Sequence, residues 1–220
     1  GNTGASTQII TTPTNLRQTY IYNGQLYLSS SSGAFIGVSS VGTGLPTTSN
    51  QPAVLQVGTG GTANGFLLLD RDAGVAGLDT LYVANQTPAT GLQKFSFDGS
   101  TWTARGNSPG LLNAVTGYLS GTTAVMYVVS GTASSNVVLA FSDSAAFNAN
   151  LSGSFSTVAT AGTNTAFRGL AFAPGAVGAS PALTLTKQAS VATLNRGELV
   201  TYTVALKNTG TGAASGAMLT

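Results

Sequence analysis

Cysteine and histidine are both absent from the 220 residues. That removes thiolate nucleophiles, disulfides, imidazole bases and Cys/His zinc sites, the commonest catalytic and structural-metal solutions. Charge is scarce as well: eight Lys and Arg against six Asp and Glu make 6% of the chain, where a globular domain usually carries about 25%. The cations are scattered singly, so no patch can neutralise several phosphates, and a nucleic-acid partner is not expected. No run reaches the 18 or so apolar residues that a membrane span requires, and Gly1 to Thr14 offer neither a basic nor an apolar leader region. The opening at Gly1 rather than Met leads us to expect a processed product or a piece of a longer protein.

What remains is 42% hydrophobic residues, 29 glycines and a polarity drawn from Ser, Thr and Asn. This is enough apolar material to fill one large or two modest cores. No window keeps a helical 3.6 period, whereas short apolar runs bounded by Gly, Pro, Asn or Ser recur, so the fold class is all-β. Tyr20-Ile21-Tyr22 and Gln25-Leu26-Tyr27-Leu28 flank Asn23-Gly24, the pair that a tight hairpin favours. Asp98-Gly99 marks a second turn, between Leu92 to Phe97 and Thr101-Trp102-Thr103. Further strands are expected at Gly33 to Val38, Val54 to Val57, Gly65 to Asp70, Thr80 to Ala84, Leu112 to Leu119, Ala124 to Val129, Val137 to Phe141, Phe155 to Thr160 and Arg168 to Phe172.

Leu26-Tyr27-Leu28, Leu81-Tyr82-Val83 and Met126-Tyr127-Val128 are alike and lie 55 and then 45 residues apart. That is the period of a four-stranded unit, which must stack on neighbours to bury both faces. Together with Asp79-Thr80-Leu81-Tyr82-Val83-Ala84-Asn85, Gly91-Leu92-Gln93-Lys94-Phe95-Ser96-Phe97-Asp98-Gly99 and Phe167-Arg168-Gly169-Leu170-Ala171-Phe172-Ala173-Pro174, this organisation resembles the β-propeller modules of large secreted bacterial proteins. The resemblance implies about three to four four-stranded antiparallel blades over residues 1–174, fewer than a closed ring usually has.

At Pro174 the composition shifts to a Gly/Ala/Pro connector, residues 175–182. Beyond it, residues 183–220 hold two alternating strands about a turn at Gly197. The run Gly197-Glu198, Leu199-Val200-Thr201-Tyr202-Thr203-Val204 and Asn208-Thr209-Gly210 resembles the start of the Ig-like repeat domain found in tandem in bacterial and archaeal surface proteins. The resemblance implies an incomplete β-sandwich. Its Leu199 to Val204 strand is the candidate for exchange with a neighbouring chain, because an unpaired edge templates main-chain pairing.

Candidate sites are few. Asp70, Asp72 and Asp79 form the one acidic cluster and could supply oxygens to Ca²⁺, with a solvated turn as the competing reading. No other cofactor is expected. Carboxylate-only glycan hydrolysis needs two converging carboxyl groups, and none of Asp70, Asp72, Asp79, Asp98, Asp143 and Glu198 forms an evident pair. Lys94, alternating with Phe95, reads as the solvent side of a strand. Asn85-Gln86-Thr87 and Asn150-Leu151-Ser152 match the N-glycosylation acceptor pattern, a match that chance also supplies in so Asn- and Ser-rich a chain. Tyr22, Tyr27, Tyr82 and Tyr127 read as packing anchors.

The expectation is therefore a non-catalytic, secreted or cell-surface structural or adhesive module. Its partners would be copies of itself or other modules of the same surface protein, in a filament, sheath or surface layer. A carbohydrate- or ligand-binding propeller is the alternative, and a carboxylate-using glycan-active enzyme the third reading.

Overall fold

The computed structural model describes residues 4–131, 136–173, 183–193 and 195–208. These divide into two compact units, Gly1–Ala171 and Phe172–Thr220. The expected connector at residues 175–182 lies outside the described residues.

The first unit is three successive four-stranded antiparallel meanders, each paired in sequence order. The first sheet contains β1 (Leu16–Tyr22), β2 (Gln25–Ser30), β3 (Gly37–Val41) and β4 (Ala53–Gly58). The second contains β5 (Ala63–Leu69), β6 (Thr80–Asn85), β7 (Leu92–Phe97) and β8 (Trp102–Ser108). The third contains β9 (Leu112–Ser120), β10 (Thr123–Ser130), β11 (Val137–Asp143) and β12 (Ser156–Thr160). The β1–β2 hairpin closes through Asn23 and Gly24, at φ 47° and 74°. Two successive positive dihedrals give the turn whose twist matches the strands it joins. The Asp98 turn is a four-residue loop: Asp98 Oδ1 accepts from the amides of Ser100 and Thr101, at 2.8 and 2.7 Å. Those amides hold the Asp98 carboxyl below its usual pKa.

Two strand expectations are corrected. Gly33–Phe35 forms a single 3-10 turn and the strand begins at Gly37. Arg168 to Phe172 is irregular, for none of its residues pairs in a ladder.

The three similar triplets occupy the second strand of the three sheets, β2, β6 and β10. Within each, the flanking apolar residues face one way and the tyrosine the other, as alternation along a strand dictates. Leu81 and Val83 pack toward the first sheet, in a cluster with Val38, Val57, Phe66, Leu68 and Phe95 that Tyr22 and Tyr27 adjoin. Tyr82 points to the opposite face, into a cluster with Leu67, Leu92, Leu112, Val115, Met126, Val128 and Phe141. The second sheet is thus covered on both faces, and every residue of β6 is buried.

Close approach between sheets depends on Gly117 of β9. A Cβ there would lie 2.5 Å from Val125 O and 2.8 Å from Leu67 Cδ2. Side-chain amides extend the main-chain pairing between sheets: Gln18 accepts from Phe66 N at 2.8 Å and donates to Phe66 O at 3.2 Å.

The second unit is one hairpin, β13 (Leu183–Ala189) with β14 (Tyr202–Asn208), in register from Leu183↔Asn208 to Ala189↔Tyr202. All fourteen residues are exposed. Among the described residues, no helix is long and apolar enough to cross a membrane.

Candidate functional site

Strand direction sorts the charges of the first unit onto two ends. β5, β7 and β11 finish at the same end as β6 begins. Asp70 follows β5, Asp79 precedes β6, Asp98 follows β7 and Asp143 closes β11, with Asp72 in the loop between β5 and β6. All five aspartates of the first unit therefore sit at one end.

The centre of that end is a buried ionic cluster joining the second and third sheets. Asp143 Oδ2 lies 3.1 Å from Arg71 Nη1 and 2.8 Å from Lys94 Nζ, and all three side chains are almost wholly buried. Tyr82 donates its hydroxyl hydrogen to Asp143 Oδ2 at 2.7 Å and accepts from Arg71 Nη1 at 2.7 Å. Arg71 Nη2 donates to the carbonyls of Thr122, Asp143 and Ala145, and Lys94 to that of Ala146. Burial alone would raise the Asp143 carboxyl, but hydrogen bonds from Lys94 and Tyr82 and the charges of Lys94 and Arg71 outweigh it and hold its pKa down. Desolvation pulls the Lys94 ammonium below its ordinary value. Burial, reinforced by the Asp143 carboxylate, pushes the Tyr82 hydroxyl up. Arg71 Nε is buried without a partner among the described residues, but the cluster's other donors and acceptors are turned on one another and away from solvent, and it serves as a bolt between sheets.

The cluster overturns the placement of Lys94 on a solvent face: its aliphatic stem crosses the sheet interface and its ammonium reaches across to Asp143. The acidic trio is corrected too. Asp79 is fully buried; its carboxylate accepts from the amides of Arg71 and Asp72 and from the Thr80 hydroxyl. Asp72 Oδ1 caps Gly74 N at 3.0 Å, and Asp70 is exposed. These carboxylates organise a loop, and no metal-binding group of three or more acidic side chains occurs among the described residues.

Asn85 is likewise corrected as a glycosylation acceptor. It is fully buried and its Nδ2 donates to Gly91 O and Gln93 Oε1, so the folded chain gives a modifying enzyme no access to it. Asn150 is exposed. Gly197 takes the turn between the strands of the hairpin at φ 96°, beside Glu198, whose carboxylate accepts from Asn195 N. Of the segment proposed for exchange, Leu199, Val200 and Thr201 precede the strand, and Tyr202, Thr203 and Val204 begin it.

The opposite end of the first unit, where β1, β5 and β9 begin, holds an open basin of about 520 Å³. Arg17 of β1, Asn64 of β5, Gln86 after β6, Asn113 of β9 and Asn136 before β11 line it, with Phe167 and Arg168 crossing its rim. Its amides are fixed in a relay: Gln86 Nε2 donates to Asn113 Oδ1 at 2.6 Å, and Asn113 Nδ2 to Gly131 O at 2.8 Å. Asn136 anchors the rim by accepting from Phe167 N and donating to Phe167 O, both at 2.8 Å. Arg17 Nε donates to Ser31 Oγ at 3.1 Å.

Sequence reading missed both assemblies. Their residues lie up to about 150 positions apart, and each is ordinary in its own neighbourhood. The one signal available was Lys94 set among the apolar residues of a strand, because a cation in such a place needs a buried partner. No family model, curated protein or solved structure matches the chain.

Proposed function

We propose that the chain is a non-catalytic structural or adhesive module of a bacterial or archaeal surface protein. In this reading the three sheets are propeller-type blades and the hairpin opens an Ig-like repeat. The observation that carries it is the hairpin's largely apolar face, which has no covering layer among the described residues. Because paired residues share a face, Leu183, Leu185, Tyr202, Val204 and Leu206 stand together on one side, each 42–53% exposed, with Lys187 among them and its ammonium 4.3 Å from the Tyr202 ring centre. Thr184, Thr186, Gln188 and Thr203 stand on the other.

A two-stranded hairpin is marginally stable alone, and an apolar sheet face finds its partner in a second face packed about 10 Å away. Another copy of the chain, or another module of the same surface protein, supplies that layer. The low charge favours such contact, since closely packed copies repel one another little.

Light scattering of the full chain over a concentration series tests this. Concentration-dependent assembly is expected, and it should disappear in the double variant Leu185→Lys and Leu206→Lys. A monomer at every concentration sinks the reading.

A further inference from the structure

We infer that the basin where β1, β5 and β9 begin binds an acidic saccharide, a sugar residue bearing a carboxylate beside free hydroxyls. This goes beyond the assembly reading and does not depend on it, because no hairpin residue takes part.

The carboxylate is called for by charge. All five aspartates of the first unit are at the far end, so Arg17 and Arg168 meet here with no acidic side chain to neutralise them. The bond from Arg17 Nε to Ser31 Oγ orients that guanidinium and leaves both its Nη groups without a partner among the described residues. Arg168 has no hydrogen-bond or ion-pair partner among them either. A guanidinium presents parallel N–H donors that match the two oxygens of a carboxylate.

The hydroxyls are called for by a reachable acceptor. Gln86, held through Nε2 by Asn113, keeps Oε1 without a donor among the described residues, so a ligand that donates to it gains a bond. Sulfate or a fully ionised phosphate brings no proton to give; a sugar hydroxyl does. The relay and the anchored rim hold these groups in place before binding, which lowers the ordering cost. Phe167, which also lines the basin, is its one aromatic residue among those described. The volume lies within the ~300–1,000 Å³ typical of small-molecule sites.

The test is NMR titration of the isotope-labelled full chain with sodium glucuronate, glucose and sodium sulfate at equal ionic strength. Glucuronate should shift the side-chain amide signals of Asn64 and Gln86, and glucose should bind at least tenfold more weakly. Arg17→Ala and Arg168→Ala, both at exposed positions, should each weaken glucuronate about tenfold, with partial recovery in Arg168→Lys. The Leu185→Lys, Leu206→Lys chain should bind as the parent does, whatever its assembly state. Sulfate binding as tightly as glucuronate overturns the saccharide assignment. The absence of any shift at Asn64 and Gln86, or glucuronate binding indifferent to both arginine substitutions, overturns the site.

Discussion

β6 and β14 are close relatives as sequences: Thr80-Leu81-Tyr82-Val83-Ala84-Asn85 and Tyr202-Thr203-Val204-Ala205-Leu206-Lys207-Asn208 both interleave β-branched, apolar and small polar residues. Every residue of the first is buried and every residue of the second is exposed. Local propensity made both strands, but burial came from neighbours. β6 has a sheet on each face, and the bolt through Arg71, Lys94, Asp143 and Tyr82 holds one of those sheets in place. β14 has one paired strand and no covering layer among the described residues.

The strongest way to break this contrast is to remove the bolt. Asp143→Ala leaves Arg71 and Lys94 buried without their counter-charge, a loss of about 3–5 kcal/mol. Thermal unfolding of the first unit should move sharply down, while the chemical shifts of β13 and β14 stay where they are. An unchanged transition would mean the cluster holds nothing together.

Acid reaches the same carboxylate by titration. The folded pKa of Asp143 is depressed, and an unfolded aspartate titrates near ~3.9. Its contribution is therefore complete above about pH 4 and lost as pH falls through the depressed folded value. Tyr82 acts at the other extreme: its folded pKa is raised, so its contribution is lost as pH climbs above ~10, where the unfolded chain ionises. Denaturant unfolding against pH should show both limbs, with the acid limb shallower in Asp143→Asn. An acid limb identical in that variant would assign the loss to other groups.

A smaller effect is expected at the glycine that lets the second and third sheets approach. Gly117→Val drives its side chain into Val125 O and Leu67, an overpacking cost of about 1–3 kcal/mol. Hydrogen exchange should then quicken in β5, β6, β9 and β10 and remain as in the parent for β13 and β14. Equal acceleration in the hairpin would erase the distinction between the two regions.

How much was legible varies with range. The Asn23-Gly24 hairpin and the 55- and 45-residue spacing of the tyrosine triplets are local or periodic signals, and the meanders follow from them. Arg168 to Phe172 is as apolar as a strand but has no ladder partner, something no window of sequence contains. Asp79, Asn85 and Lys94 were misjudged for one reason. Polar residues beside turns, or alternating with apolar ones along a strand, usually face water, but here each is turned inward by a partner: backbone amides for Asp79, Gly91 and Gln93 for Asn85, and a carboxylate 49 positions away for Lys94.

By itself the sequence determined the chemistry available and the period of the fold. With no thiol, no imidazole and few charges, strands and turns had to be built from Thr, Ser, Asn, Gly and apolar residues, whose propensities act over a handful of positions. Tertiary structure alone decided where the few charges went, because strand direction is set by pairing and pairing is long-range. It gathered the first unit's aspartates at one end, two of its cations into a buried bolt, and two arginines around an amide-lined basin at the other end.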